Sequence, residues 1–258
     1  MHISANIHVC PRCRIFSANL LQGGISMNLW HSFQEQFTAT FITEQRYLLF
    51  WNGLKTTLLI TILSALLGVV LGFIIAYVRT THDRTGKWGF PNLLCKLYLT
   101  VIRGTPTMIQ LLIMYFIIFG SVKVDKVLVA ILAFGINSGA YVAEIFRSGI
   151  MSIPYGQMEA ARSLGLNYTQ ATWKIILPQA VKNVLPALGN EMIVLLKETS
   201  ISGYIALQDL TKAGDIVRSR TYSPFFPYIS VAAIYLVLVM FLQYLLNKME
   251  ARLAQSDR

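Results

Sequence analysis

Residues 56–78, 104–122 and 221–247 contain no Asp, Glu, Lys or Arg. A helix of roughly 20 apolar residues crosses the ~30 Å hydrocarbon core of a bilayer, so each run can span one. Buried helices of a water-soluble protein also tolerate apolar runs, but they normally keep a polar stripe. Composition points the same way: 55% of residues are hydrophobic and 13% charged, against about a quarter charged in soluble domains. The chain reads as an all-α membrane protein. Its apolar runs predict five transmembrane helices, at about 54–78, 99–121, 125–146, 183–205 and 226–247.

Before the first span, residues 27–53 form an expected interfacial segment. Over 30–51 aromatic and polar side chains mix at an amphipathic spacing, and Trp and Tyr anchor well at the membrane boundary. The connection 79–96 carries Arg79, Arg84, Lys87 and Lys96 among Gly86, Gly89 and Pro91, the composition of a polar turn. In the third span, Gly135, Ser138, Gly139 and Ala140 are small enough to let neighbouring helices approach closely. A domain over 54–253 and a short tail, 254–258, complete the organisation.

The net charge of +10 raises the question of nucleic acid. No basic run or aromatic-interleaved patch supports such a partner, and excess Lys and Arg in a membrane protein mark cytoplasmic loops beside anionic lipid. Segments 79–103, 144–182 and 248–258 hold 12 Lys and Arg, against 7 in 27–55, 123–126 and 198–220. That bias predicts an outside N-terminus and an inside C-terminus. Residues 1–26 lack the long apolar core of a signal peptide and read as an upstream extension or disordered leader. Cys10 and Cys13 form a lone CxxC there, weak evidence for metal or redox chemistry. With His2, His8, His31 and His82 scattered, no metal site is expected.

The longest expected cytoplasmic connection, 147–182, is too structured for a linker. Met158 to Leu164 is a run of strong helix formers ended by Gly165, and a second helical pattern begins over Tyr168 to Ile176 and is interrupted by Pro178. Two short helices meeting at a glycine make a compact knob, and a short helix with an exposed face suits a groove on a partner protein.

The residues of this knob carry a family resemblance. Glu159-Ala160-Ala161, then Gly165, then Ile175-Ile176-Leu177-Pro178 matches the EAA loop of bacterial ABC-importer permeases at every fixed position. Arg103-Gly104-Thr105-Pro106 and the run from Tyr141 to Ile150 resemble the polar amino-acid subgroup, and the likeness covers about residues 54 to 253. The resemblance implies a type I permease fold in the bacterial inner membrane. It also implies that 159–167 is a coupling helix docking into a separate ATPase subunit. Glu159 would face that cleft, Ala160 and Ala161 would permit close packing, and Gly165 would allow the turn. Implied partners are two ATPase copies carrying ATP-Mg, a second copy of the permease or a related one, an extracytoplasmic amino-acid-binding protein, and membrane lipid.

No GxxxxGK[ST] loop, HExxH or GxSxG arrangement occurs in the chain, so it is not expected to be an enzyme or to hold a cofactor itself. The fourth span adds the candidate chemistry. It reads Asn190-Glu191 and then Lys197-Glu198 within apolar sequence, and an ionisable group near the bilayer midplane costs at least ~2.5–3.5 kcal/mol. Glu191 and Lys197 are ~9 Å apart along a helix axis, a separation suited to an amino-acid zwitterion. The other reading is an internal ion-pair network with Glu198. Pro186 and Gly189 allow for a broken helix there, and Thr105 and Gln110 on the second span are further pathway candidates. An ion-coupled secondary transporter is the rival function, although such carriers usually show an inverted repeat and none is evident. A membrane scaffold would leave Glu191 and Lys197 without a purpose.

Overall fold

The computed structural model describes residues 25–255. Cys10, Cys13 and almost all of the expected leader lie outside the described residues, as do the last residues of the tail. Among the described residues there is helix and connecting turn but no strand. A first helix, α1 (Ile25–Phe37), leads through a π-turn at Thr38–Ile42 to a sharp bend, where Glu44 and Gln45 take positive φ. Arg46 steadies the bend, donating to the Ala39 carbonyl at 2.7 Å and to Glu44 Oε2 at 3.3 Å. The expected interfacial segment is bound together by aromatic rings: Trp30, Phe33, Phe37, Phe41 and Phe50 follow one another at 5.1–6.4 Å, and Phe226 meets Phe33 edge-on at 5.0 Å.

The first uncharged run becomes α2 (Tyr47–Thr85), which ends where Gly86 takes φ +66 and donates its N–H to His82 O. Two helices follow, α3 (Gly89–Gly104) and α4 (Thr107–Ile113), the second extended by a π-turn over Met114–Ile118. Here the structure corrects the single span expected over 99–121. The two halves meet at 109°. Pro106 is the cause: a proline drives the residue before it out of helical geometry, and Thr105 is extended at φ −121, ψ 145.

Next come α5 (Lys126–Met151), α6 (Tyr155–Ser163) and α7 (Tyr168–Ala171), followed by a π-turn at Thr172–Ile176 and α8 (Leu177–Glu198). Pro178 occupies the first turn of α8, where a missing N–H is harmless, so it opens this helix and the chain remains helical through it. Pro186 does not break α8 either. It removes one backbone bond, while Val184 stays buried and Gly189 packs directly on Leu246. The expected span 183–205 is therefore a continuous helix up to Glu198 and a tight 3₁₀ turn over Thr199–Ile205. Short α9 (Leu210–Thr221) is capped by Asp209, which accepts from Lys212 N at 2.9 Å, and α10 (Phe225–Gln255) completes the chain. On α9, hydrogen bonds from Lys212 and Arg218 hold the Asp215 carboxyl down at about 2.

Among the described residues α2, α5 and α10 are long and apolar enough to cross a membrane, with α3 plus α4 a fourth if the bent pair counts as one. Lys182, Glu191, Lys197 and Glu198 give α8 a more polar composition. The bundle is organised around α5, whose apolar window is 61% buried, against 11% for α10. Side by side, α2 and α5 interlock through small residues. A Cβ on Gly72 would lie 2.5 Å from Val142 Cγ1, one on Gly135 2.6 Å from Leu67 Cδ2, and one on Gly68 3.0 Å from Ser138 Cβ. Lipid tails are as apolar as Leu, so helices in a bilayer associate by this close packing and by hydrogen bonds, not by hydrophobicity alone. Ser64 Oγ adds a bond to Ile131 O at 3.2 Å, and the Tyr98 hydroxyl donates to Ile136 O. Below this seam Ile60, Leu111, Phe134, Leu195 and Ile205 form the main core cluster.

The seam leaves no room for a methyl group at Gly72. Gly72→Ala is expected to destabilise the protein by about 1–3 kcal/mol through overpacking, read as a lower thermal midpoint in detergent. At Gly156 a new Cβ would meet nothing within 4 Å. Gly156→Ala is expected to leave the midpoint unchanged or slightly higher.

Candidate functional site

Two regions carry the candidate residues, one on the loop 147–182 and one between helices of the bundle. The loop is built by local chemistry. Pro154, at ψ 135, precedes α6, and the helix is closed by Leu164 N–H to Ala160 O at 3.1 Å and Leu166 N–H to Ala161 O at 3.2 Å. The turn runs through Gly165 at φ +86. A Cβ there would meet nothing within 4 Å, so the demand for glycine comes from the left-handed backbone and not from crowding. Asn167 then caps α7 in a reciprocal box with Gln170: each side chain accepts from the other's backbone N–H, at 2.8 and 3.0 Å.

This knob has its own small core of Met158, Ala161, Ala171 and Ile176. Of the two alanines expected to permit close packing, Ala161 packs in that core, and Ala160 is exposed beside Glu159. Tyr155 and Leu164, 76% and 83% exposed, extend the outward face. Leu177 is half-buried and Pro178 exposed where the loop joins α8. The outward surface thus offers the Glu159 carboxylate and the Arg162 guanidinium beside small Ala160 and the large side chains of Tyr155 and Leu164.

The second region is a line of polar groups across the α4, α5 and α8 contact. The Gln110 amide donates towards Ile102 O at 2.7 Å, Thr105 O at 3.0 Å and Thr105 Oγ1 at 2.7 Å. Its oxygen accepts from Asn137 Nδ2 at 2.8 Å. One residue on, Ser138 Oγ donates to Glu191 Oε1 at 2.9 Å. The bend before α4 frees carbonyls that the Gln110 amide then satisfies, and the neighbours Asn137 and Ser138 serve Gln110 and Glu191 in turn. Of the expected pathway residues, Thr105, Gln110 and Glu191 are brought into this line. Asn190 and Lys197 are exposed on α8, apart from it. Among the described residues Lys197 forms no ion pair, which is not the arrangement of the alternative reading, an internal network with Glu198.

The sequence analysis assigned no chemistry to Asn137. Both it and Ser138 are 1% exposed, and a fully buried amide inside an apolar helix requires a partner. That signal was available. It also gave no role to Glu144, although the residue lies in a quoted motif. Glu144 meets Arg79 at 3.7 Å, Arg103 at 3.8 Å and Arg147 at 3.5 Å, and Arg147 in turn meets Asp83 at 3.6 Å. This cluster ties the ends of α2, α3 and α5 together. No group of three potential metal ligands occurs among the described residues.

Residues 68–255 match the family model of the binding-protein-dependent transport system inner membrane component. The chain is 37% identical over 216 residues to the probable glutamine ABC transporter permease protein GlnM of Bacillus subtilis, covering 83% of this chain and 98% of that one. It is 40% identical over 164 residues to the putative glutamine transport system permease protein GlnP of Rickettsia conorii, covering 62% and 75%. Among solved structures, an amino acid ABC transporter crystallised with histidines superposes with a TM-score of 0.75 at 43% identity, over 82% of this chain and 98% of that one. An inward-facing MetNI methionine ABC transporter, at 20% identity and a TM-score of 0.67 over 80% and 97%, shares the fold.

The amide line generates a stability test. Gln110→Leu is expected to cost about 1–3 kcal/mol by leaving the Asn137 amide and two carbonyls unpaired. Adding Asn137→Leu should restore part of that loss, so a double-mutant cycle of thermal midpoints should give coupling between the two. Strictly additive losses would show that the two amides do not support each other.

Proposed function

This chain belongs to the family of inner-membrane components of binding-protein-dependent transport systems, and from that membership we propose how it couples ATP to the import of a polar amino acid. The protein is a membrane-spanning permease subunit of an ABC importer with the type I fold. Its relatives' names refer to glutamine, which supports a polar amino acid as the cargo here. The family match disfavours an ion-coupled secondary transporter.

The observation that carries the coupling reading is the α6 knob: a helix with its own small core that presents Glu159, Ala160 and Leu164 outward. In our reading it docks in a cleft of a separate ATPase subunit, where ATP-Mg is bound. Two permease copies, identical or related, work with two such ATPases and an extracytoplasmic binding protein. The domain over 54–253 spans the membrane five times, with α8 as the fourth span and the α3–α4 bend within the second. The Lys and Arg bias supports an outside N-terminus, with α6 and the C-terminus inside. When the ATPases close on ATP, paired knobs are drawn together, and the continuous helix of α8 carries that motion into the bundle.

For the pathway, Glu191 offers a carboxylate to a substrate ammonium or guanidinium, and Lys197 an ammonium to a substrate carboxylate. The exposure of Lys197 and its freedom from Glu198 support this reading over a structural ion pair. Thr105 and Gln110, in the same polar line as Glu191, and Asn190 on the exposed face of α8 would supply neutral polar contacts.

Reconstitution with the partner ATPase tests the coupling. Gly165→Val places a β-branched residue in a left-handed turn, a cost of roughly 1–2 kcal/mol, and is expected to cut ATP-dependent uptake by about tenfold while insertion persists. Glu159→Lys should weaken ATPase binding. Wild-type uptake in both variants would remove the knob from the coupling path. For the pathway, Glu191→Gln keeps an acceptor for Ser138 and Lys197→Met keeps the length of the chain. Each is expected to lower substrate-stimulated ATP turnover with an unchanged thermal midpoint, and full activity in the double variant would exclude the pair. Impermeant labelling of single cysteines should reach position 212 from outside and not position 162.

A further inference from the structure

Two consecutive residues of α5 serve different helices. Asn137 donates to Gln110 on α4, and Ser138 donates to Glu191 on α8. The Ser138 hydroxyl reaches Glu191 Oε1 at 2.9 Å from a fully enclosed position, whereas Glu191 itself is half-buried. Among the described residues that carboxylate makes no other hydrogen bond and no ion pair. A glutamate side chain has three rotatable bonds, and a carboxylate that is not held gives up this freedom each time it meets a ligand. With Oε1 anchored, Oε2 is presented from a fixed place.

The hydroxyl is itself held from behind. A Cβ on Gly68 of α2 would lie 3.0 Å from both Ser138 Cβ and Ser138 Oγ, and 3.3 Å from Gly139 N. Any side chain at position 68 would therefore push on the donor. One turn along the same seam Gly72 is enclosed more tightly, but by Val142 Cγ1 at 2.5 Å and Ala143 N at 2.8 Å, neither of which bonds to Glu191. The two glycines thus separate packing from positioning: the tighter contact lies away from the carboxylate, and the looser one backs the group that holds it.

We infer that Ser138 is a positioning residue for the substrate pathway, anchoring Glu191 so that its second oxygen meets a substrate ammonium or guanidinium, and that Gly68 keeps the hydroxyl in place. The inference rests on the reading of Glu191 as a substrate contact. A Ser138 that only tied α5 to α8 would change stability and every activity together. An anchor for Glu191 changes the part of the activity that depends on substrate.

The test reconstitutes the chain with its ATPase and binding protein, and measures ATP turnover with and without substrate beside thermal midpoints in detergent. The probes are the standard L-amino acids, scored on the one that stimulates the wild type most. Ser138→Ala removes one oxygen and adds no bulk. It is expected to cut the substrate-stimulated part of turnover by about tenfold, near the lower bound of what a hydrogen bond to a charged group contributes, with basal turnover at the wild-type rate. Gly68→Ala should lower the stimulated part in the same direction. Gly72→Ala should lower the midpoint further than Gly68→Ala does, yet keep the wild-type ratio of stimulated to basal turnover. Where Gly72→Ala does not assemble, Ser138→Ala decides alone. Losses that follow stability, with Gly72→Ala impaired most, overturn the proposal, as does a wild-type ratio in Ser138→Ala. Glu191→Gln separates the anchor from the reading beneath it. If that variant is impaired and Ser138→Ala is normal, only the positioning role falls. A normal Glu191→Gln removes the pathway role of Glu191, and the anchor with it.

Discussion

The close approach of α2 and α5 is the constraint on which the other helices depend. Dispersion between two atoms is worth only ~0.1–0.2 kcal/mol and falls away within an ångström of optimal separation. In a bilayer there is no water to expel, so a helix pair holds through many such contacts made at once. Gly68 and Gly72 on one helix and Gly135 and Gly139 on the other bring the backbones close enough for that. With α5 so placed, its remaining faces receive α3, α4 and α8, and polar groups far apart in sequence come within hydrogen-bond reach.

Those polar groups show how a bundle can be both apolar outside and chemically equipped within. Every donor or acceptor enclosed in hydrocarbon needs a partner. The bend at Thr105-Pro106 would leave the Ile102 and Thr105 carbonyls short of helical partners, and Gln110 answers both while passing its own oxygen to Asn137. The arginines gathered at Glu144 solve a different problem. They join three helix ends around one carboxylate, at contacts of 3.5–3.8 Å between partly exposed side chains.

In the loop 147–182 the two short helices and the glycine between them were readable in the sequence, because their geometry is local. The Asn167–Gln170 box that caps the second helix is equally local, although the sequence reading did not name it. Where the sequence reading departed from the structure, tertiary packing or proline chemistry decided. Pro186 lies within the continuous helix α8, which packs on α5 and α10. Pro106 does bend its span, since the residue before it must be extended.

By itself the sequence determined the all-helical membrane class, the helical runs, the capped knob and the family motif it carries. Each of these depends on hydropathy or on residues within about four positions, where the helix repeat dictates who neighbours whom. The tertiary structure alone decided that Ser138 holds Glu191, 53 residues away, and that Gln110 holds Asn137, 27 away. Those pairings follow from the rotation and depth of one helix against another. Small differences in side-chain volume at the seam set both, and no local pattern in the chain encodes them.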